Sequence, residues 1–139
     1  MKNKSSYQQI NWTLIVLLAV SAVWSILSTF NELAHPSAED LAGDGPQSRL
    51  LPFLGPDQMA GLVILAALAA LLVWKWKRLF PFNGPLALVL GGSVYAWIFF
   101  TFTIGWVRMM GMFGFLLAAG IGFLLVLIYG LLSISQKRK

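Results

Sequence analysis

The side chains that carry acid–base or metal chemistry are few and lie close together in this chain. All five carboxylates and the single histidine fall between residues 31 and 57: Glu32, His35, Glu39, Asp40, Asp44 and Asp57. Imidazole and carboxylate groups are suitable ligands for divalent cations, but the spacing here matches no metal-binding motif. We interpret the segment as a solvated acidic loop, and we predict no metal site and no catalytic residue.

Methionine offers the second candidate chemistry. Apart from the initiator, the methionines are Met59, Met109, Met110 and Met112, and all four fall at one predicted membrane boundary. Thioethers favour Cu(I), so a metal-handling protein of the outer face is one hypothesis, with His35 on the same side. Flexible side chains that fill gaps between helix ends give the same distribution. We favour packing, and a role beyond packing stays open.

Four apolar runs must position these residues: 11–30, 59–74, 85–104 and 111–133. Each is near the roughly 20 residues that span a bilayer. Because 58% of the residues are hydrophobic and only 11% are charged, a soluble domain would lack polar surface. The sequence predicts an all-α integral membrane protein whose residues 1–139 form one four-helix domain. Residues 31–57 form its one long loop, and 105–111 hold the turn of a tight hairpin between spans three and four.

The spans contain no Asp, Glu, Lys, Arg or His in their central parts. Proton relays, ion-coupled transporters and voltage sensors generally require such residues, so proton-coupled transport by this chain alone is disfavoured. A retinal Schiff base needs a lysine, and haem usually needs an axial histidine. We therefore predict that the chain is not an enzyme and that it binds no metal.

The distribution of cations predicts the orientation. Eight lie on one side of a four-span arrangement: Lys2, Lys4, Lys75, Lys77, Arg78, Lys137, Arg138 and Lys139. Only Arg49 and Arg108 lie on the other side. Because cytoplasmic flanks retain Lys and Arg, we expect both termini to be cytoplasmic and residues 31–57 to be extracytoplasmic. We expect a multi-pass protein of the bacterial inner membrane, and no nucleic-acid binding despite the net charge of +5.

Aromatic and cationic residues mark the membrane boundaries. The predicted interfacial anchors are Trp12, Trp74, Lys75, Trp76, Lys77, Arg78, Trp106 and Arg108. Indole rings favour the headgroup level, and long cationic side chains reach toward it. Membrane lipids are therefore expected partners, with Arg108 reaching outward to phosphate. A dedicated polyanionic-lipid site in the segment from Lys75 to Gly84 is the less favoured alternative.

Small residues repeat at four-residue spacing and predict close helix packing. The predicted packing residues are Ala66, Ala70, Gly91, Gly92, Ala96, Gly114, Ala118 and Gly122. Such stripes serve packing within the chain as readily as assembly with other subunits. Hydroxyls in the spans, among them Ser21, Ser25, Ser28 and Thr103, are expected to bond to carbonyls of their own helix.

The third span is rich in aromatic residues, including Tyr95, Trp97, Phe99, Phe100 and Phe102. These rings are suited to face lipid, another subunit or an apolar cofactor such as a quinone or carotenoid. We predict no cofactor, but such contact remains an alternative.

In size, and in Gly55-Pro56 before the second span, the chain resembles the small four-helix membrane subunits of tripartite solute transporters. Its C-terminal part departs from that pattern. It also lacks the embedded first-span glutamate of small multidrug transporters. We predict a non-catalytic accessory or structural subunit of a larger membrane complex, which contacts other membrane subunits through small-residue and aromatic faces. A small membrane subunit of a solute transporter is the alternative.

Overall fold

The computed structural model describes residues 2–35 and 54–137. These residues form four helices: α1 (Lys2–Ala34), α2 (Pro56–Trp74), α3 (Asn83–Phe102) and α4 (Val107–Lys137). The described ranges contain no β-strand. Each helix includes a stretch long and apolar enough to cross a membrane. The prediction of an all-helical chain with four apolar spans is confirmed to that extent.

The helices extend beyond the apolar runs in several places. α1 begins at Lys2 rather than at residue 11, because hydropathy marks the part that avoids water and not the start of the helix. Most of the predicted loop lies outside the described residues. At the loop's end Gly55 has an extended backbone and Pro56 begins α2. This agrees with the preference for proline in the first helical turn, where its missing N–H costs no helical hydrogen bond.

The hairpin turn between α3 and α4 is shorter than predicted. It occupies residues 103–106, where Gly105 adopts a φ of 67°, a left-handed conformation that favours glycine. α4 begins at Val107, so Gly111 lies within the helix and not in the turn. A Cβ on Gly111 would lie 2.7 Å from the Cβ of Phe99. Gly111 therefore allows close packing of two helices, a role that cannot be distinguished from turn formation in the sequence.

The four helices alternate in direction, which gives the protein two distinct ends. We call one the elbow end: it holds Tyr7 and Asn11 of α1, the connecting residues 75–82, and Tyr129 of α4, which are joined by hydrogen bonds and ring contacts. We call the other the hairpin end: it holds Phe30, Gln58, Phe102 and the turn at 103–106. Both termini of the described chain lie toward the elbow end.

α3 is the central helix, since it contacts each of the other three. Its closest partner is α4, and small residues line their contact. A Cβ on Gly92 would lie 2.6 Å from the Cβ of Ala118. A Cβ on Gly122 would lie 2.9 Å from Val89 and 3.1 Å from the carbonyl oxygen of Pro85. Gly114 faces the ring of Tyr95 in the same way. The stripe Gly114, Ala118 and Gly122 thus faces α3 within the chain.

Other predicted packing residues lie elsewhere. Ala96 is half-buried, and its backbone lies near Gly111. Gly91 is exposed, with no atom near the position of an added Cβ. Ala66 and Ala70 of α2 are also exposed. The small-residue pattern therefore divides into residues used between α3 and α4 and residues left uncovered within the described part of the chain.

α1 packs on the α3–α4 pair toward the elbow end. Leu88, Leu125 and Tyr129 form a buried cluster there. The α1 side chains against it are Tyr7, Leu14, Ile15 and Leu18. The ring of Tyr7 meets the ring of Tyr129 edge-on, with centroids 5.1 Å apart, a favourable geometry for aromatic pairs.

We predict that Gly122→Leu destabilises the protein while Gly120→Leu does not. The larger side chain at 122 would push Val89 and the backbone at Pro85 away, at a cost of about 1–3 kcal/mol. Gly120 is only two residues away on α4 but has no atom within 4 Å of an added Cβ. Thermal unfolding in detergent compares the two variants. Equal melting temperatures for both would mean that Gly122 does not face α3.

Candidate functional site

Three polar side chains meet in the protein interior at the elbow end. Asn11, Asn83 and Tyr129 are each 5% exposed or less. The hydroxyl of Tyr129 donates to Oδ1 of Asn11 at 2.6 Å. Nδ2 of Asn11 donates to the carbonyl oxygen of Pro81 at 3.1 Å and lies 3.5 Å from Oδ1 of Asn83. We call Asn11, Asn83 and Tyr129 the polar cluster.

Asn83 connects this cluster to the connecting residues 75–82, which we call the elbow. Its Oδ1 accepts from the backbone N–H of Gly84 at 2.9 Å, and its Nδ2 donates to the carbonyl oxygen of Trp76 at 3.3 Å. A Cβ on Gly84 would overlap the amide of Asn11, so only glycine allows α1 to come this close. The cluster contains only amides and a phenol. Its evident effect is to hold α1, the elbow and α4 in register.

The sequence analysis did not identify the polar cluster. Asn83-Gly84-Pro85 reads as a turn in the sequence, whereas these residues form the buried start of α3. Asn11 and Tyr129 are ordinary near the end of a span. The sequence does show an amide, Asn11, at the edge of the first apolar run and a phenol, Tyr129, inside the fourth. Nothing in the sequence indicates that these two distant residues are in contact.

A pocket of about 330 Å³ lies beside the polar cluster. It is lined by Gln8, Asn11, Trp12, Trp76, Lys77, Phe80 and Asn83. The rings of Trp12 and Trp76 are 6.1 Å apart and tilted by 49°. Three predicted interfacial anchors, Trp12, Trp76 and Lys77, are thus brought together here. Lys75 is not among the lining residues, and its ammonium lies 4.4 Å from the centroid of the Trp74 ring.

A larger and mainly apolar groove of about 550 Å³ runs between α1, α3 and α4. Gly91 and Gly92 lie on one wall, and Ala22 and Ser25 on another.

Ser25 was expected to bond to its own helix, but its hydroxyl is 2.8 Å from the hydroxyl of Tyr95 on α3. That expectation was wrong for Ser25, because a partner on the next helix lies within reach. Ser21, Ser28 and Thr103 do bond to carbonyls of their own helices.

Most aromatic rings of α3 pack against the protein. Phe99 is fully buried between Phe30 and Tyr95. The indole N–H of Trp97 donates to the carbonyl oxygen of Gln58 at 3.0 Å, and its ring meets Phe102 edge-on. Aromatic contacts therefore join α3 to both α1 and α2. Phe100 remains 44% exposed.

The predicted residues at the hairpin end are more dispersed. Nη2 of Arg108 donates to the carbonyl oxygen of Phe100 at 2.8 Å, so the guanidinium turns back to α3 instead of only reaching outward. Its Nε is buried without a hydrogen-bond partner in the described residues. The four methionines are 39–50% exposed. Within residues 2–35 and 54–137, no three His, Cys, Asp or Glu side chains are grouped to hold a metal ion. Trp106 at this end, like Trp74 at the elbow end, is largely exposed.

Comparison with known proteins gives no relative: no family model, no curated protein and no solved structure matches this chain.

We predict that Tyr129→Phe lowers thermal stability and that Tyr7→Phe does not. Loss of the Tyr129 hydroxyl leaves Oδ1 of the buried Asn11 without its donor, and we expect a cost of about 0.5–2 kcal/mol. Tyr7 keeps its ring contact after the change, and its hydroxyl makes no bond to the described part of the chain. The test measures the melting temperatures of wild type and both variants in the same detergent. Identical values would show that the Asn11–Tyr129 bond contributes nothing to stability.

Proposed function

We propose that this protein is a non-catalytic accessory or structural subunit of a larger membrane complex. The observation that supports this proposal is the uncovered small-residue face of α2. Ala66 and Ala70 lie one helical turn apart on this face, and both are exposed. In a membrane, such small residues allow another helix to approach closely. We call Ala66 and Ala70 the α2 face.

The arrangement of the other helices is consistent with this role. The contacts between α2 and α3 include Gly61 and Gln58 against Trp97, and no residue of α2 is buried. In an apolar stretch of 18 residues, enough to cross a membrane, neither α1 nor α2 contains a buried residue. Lipid chains can cover the apolar side chains of α2. A neighbouring helix can in addition pack closely against the α2 backbone at the alanine positions, and the resulting van der Waals contacts favour helix association.

A membrane subunit of a solute transporter is the second proposal. The groove between α1, α3 and α4 supports it, because the groove is open along one side and carries the Ser25–Tyr95 hydroxyl pair on its wall. A partner that closed the open side would convert the groove into an enclosed passage. The third hypothesis, metal handling at the outer face, rests only on the exposed methionines and on His35.

We also propose that both termini face the cytoplasm and that the protein resides in the bacterial inner membrane. The elbow carries Lys75, Lys77 and Arg78, and it lies at the same end as the start of α1 and the last turns of α4. Lys2 and Lys4 at the start of α1 and Lys137 at the end of α4 therefore belong to the same end as the cations of the elbow. Because cytoplasmic flanks retain Lys and Arg, we propose that this face is the cytoplasmic one.

The orientation is tested by single cysteines, since the natural chain has none. We expect Ser48→Cys to react with a membrane-impermeant thiol reagent in intact cells. Ser135→Cys should react only after the membrane is permeabilised. The reverse pattern would overturn the orientation together with the charge argument.

The accessory role is tested by purification in mild detergent with identification of every protein that co-migrates. We expect a second membrane protein to be present. A photo-crosslinker attached to Ala66→Cys should capture it, whereas the same group on Leu68→Cys should not. Leu68 is a suitable control because it is also exposed but lies about 200° around the helix from Ala66. A homo-oligomer without any other chain would refute the proposal.

A further inference from the structure

The pocket at the elbow end has the composition of an anion site. One of its lining residues is a cation, Lys77, and none is an acid. The remaining side chains are amides and aromatic rings. In the described part of the chain, the carboxylates Glu32 and Asp57 belong to the end of α1 and the start of α2, which lie at the hairpin end. Nothing described near the pocket therefore opposes a negative charge.

Polar groups that can bind a ligand remain available in the pocket. Asn11 and Asn83 are committed to the polar cluster and the elbow. The amide of Gln8 and the indole N–H groups of Trp12 and Trp76 make no hydrogen bond to the described residues. Lys77 is exposed and forms no ion pair with them. Charge-assisted hydrogen bonds from ammonium and N–H donors are well suited to phosphate oxygens.

The position of the pocket indicates the source of the phosphate. In the sequence the apolar run of α1 begins near residue 11, and on either side of residues 75–82 helix α2 ends at Trp74 and helix α3 begins at Asn83. The lining residues therefore lie where the apolar part of the protein ends. In a bilayer, this is the headgroup level, which tryptophan prefers. The volume of about 330 Å³ lies near the lower limit of ligand clefts, about 300 Å³, and suits a headgroup better than a whole lipid.

We propose that this pocket binds the headgroup of an anionic phospholipid, with Lys77 and the N–H donors on the phosphate diester and Trp12 and Trp76 as walls. A zwitterionic headgroup is disfavoured, because its cationic group would share the pocket with Lys77 and find no carboxylate there. The inference is independent of the accessory role, since it concerns lipid and not a protein partner.

The test compares two neighbouring lysines in the purified full-length protein. Native mass spectrometry measures the retention of phosphatidylglycerol and phosphatidylcholine by wild type, Lys77→Gln and Lys75→Gln. We expect wild type to retain phosphatidylglycerol preferentially. Lys77→Gln should reduce that retention about fivefold, since one lysine near an anionic surface contributes about that factor. Lys75→Gln should change it less than twofold, because Lys75 lies on Trp74 outside the pocket.

Two further measurements make the assignment specific. Trp12→Leu removes one wall and should also weaken retention while the melting temperature stays near that of wild type. Excess inorganic phosphate should not displace the lipid. Displacement would assign the pocket to a small soluble anion and overturn the lipid proposal. Equal effects of the two lysine variants, or no preference for phosphatidylglycerol, would show a diffuse cationic surface instead of a pocket.

Discussion

Polar groups that leave water must find partners within the protein, and in this molecule that requirement is concentrated at Asn11, Asn83 and Tyr129. Each is almost fully buried, and an unpaired amide in such a place costs about 1–3 kcal/mol. Asn11 satisfies both of its polar atoms only when α1 touches the elbow and α4 together. Asn83 in turn needs the carbonyl of Trp76. The positions of α1, the elbow and α4 are therefore interdependent, and the pocket beside them follows from that arrangement.

Away from this end, side-chain size determines how the helices associate. Small residues, most of them on α4, line the contact between α3 and α4, and the two backbones approach so closely that even a methyl group at Gly92 or Gly122 would meet its neighbour. Toward α1 and α2, α3 presents large aromatic side chains such as Phe99 and Trp97. Large rings contact their partners across a wider gap. This difference explains why α3 and α4 form a tight pair while α1 and α2 retain much free surface and border an open groove.

Hydropathy predicted the four spans because the apolar runs are long and separated by charge or proline. It could not predict faces or partners. The alternatives considered for the aromatic side chains of the third span were lipid, another subunit or an apolar cofactor, whereas Trp97 and Phe99 contact Gln58 and Phe30 of the same chain. Ser25 was within reach of its own helix and of Tyr95, and sequence spacing favoured the first. The polar cluster was missed because Asn11 lies 72 positions from Asn83 and 118 positions from Tyr129. Gly111 was assigned to the turn because a packing glycine and a turn glycine look alike in a sequence.

The bond between Asn11 and Tyr129 spans 118 positions of the chain. Among the side-chain hydrogen bonds of the described residues it closes the largest loop, and the entropy of loop closure must be overcome before it forms. Because α1 precedes α4 in the chain, α1 is synthesised before the donor for its buried amide. The Asn11–Tyr129 bond therefore cannot form until α2, α3 and most of α4 have been made, so the arrangement of the elbow end depends on the whole span between them.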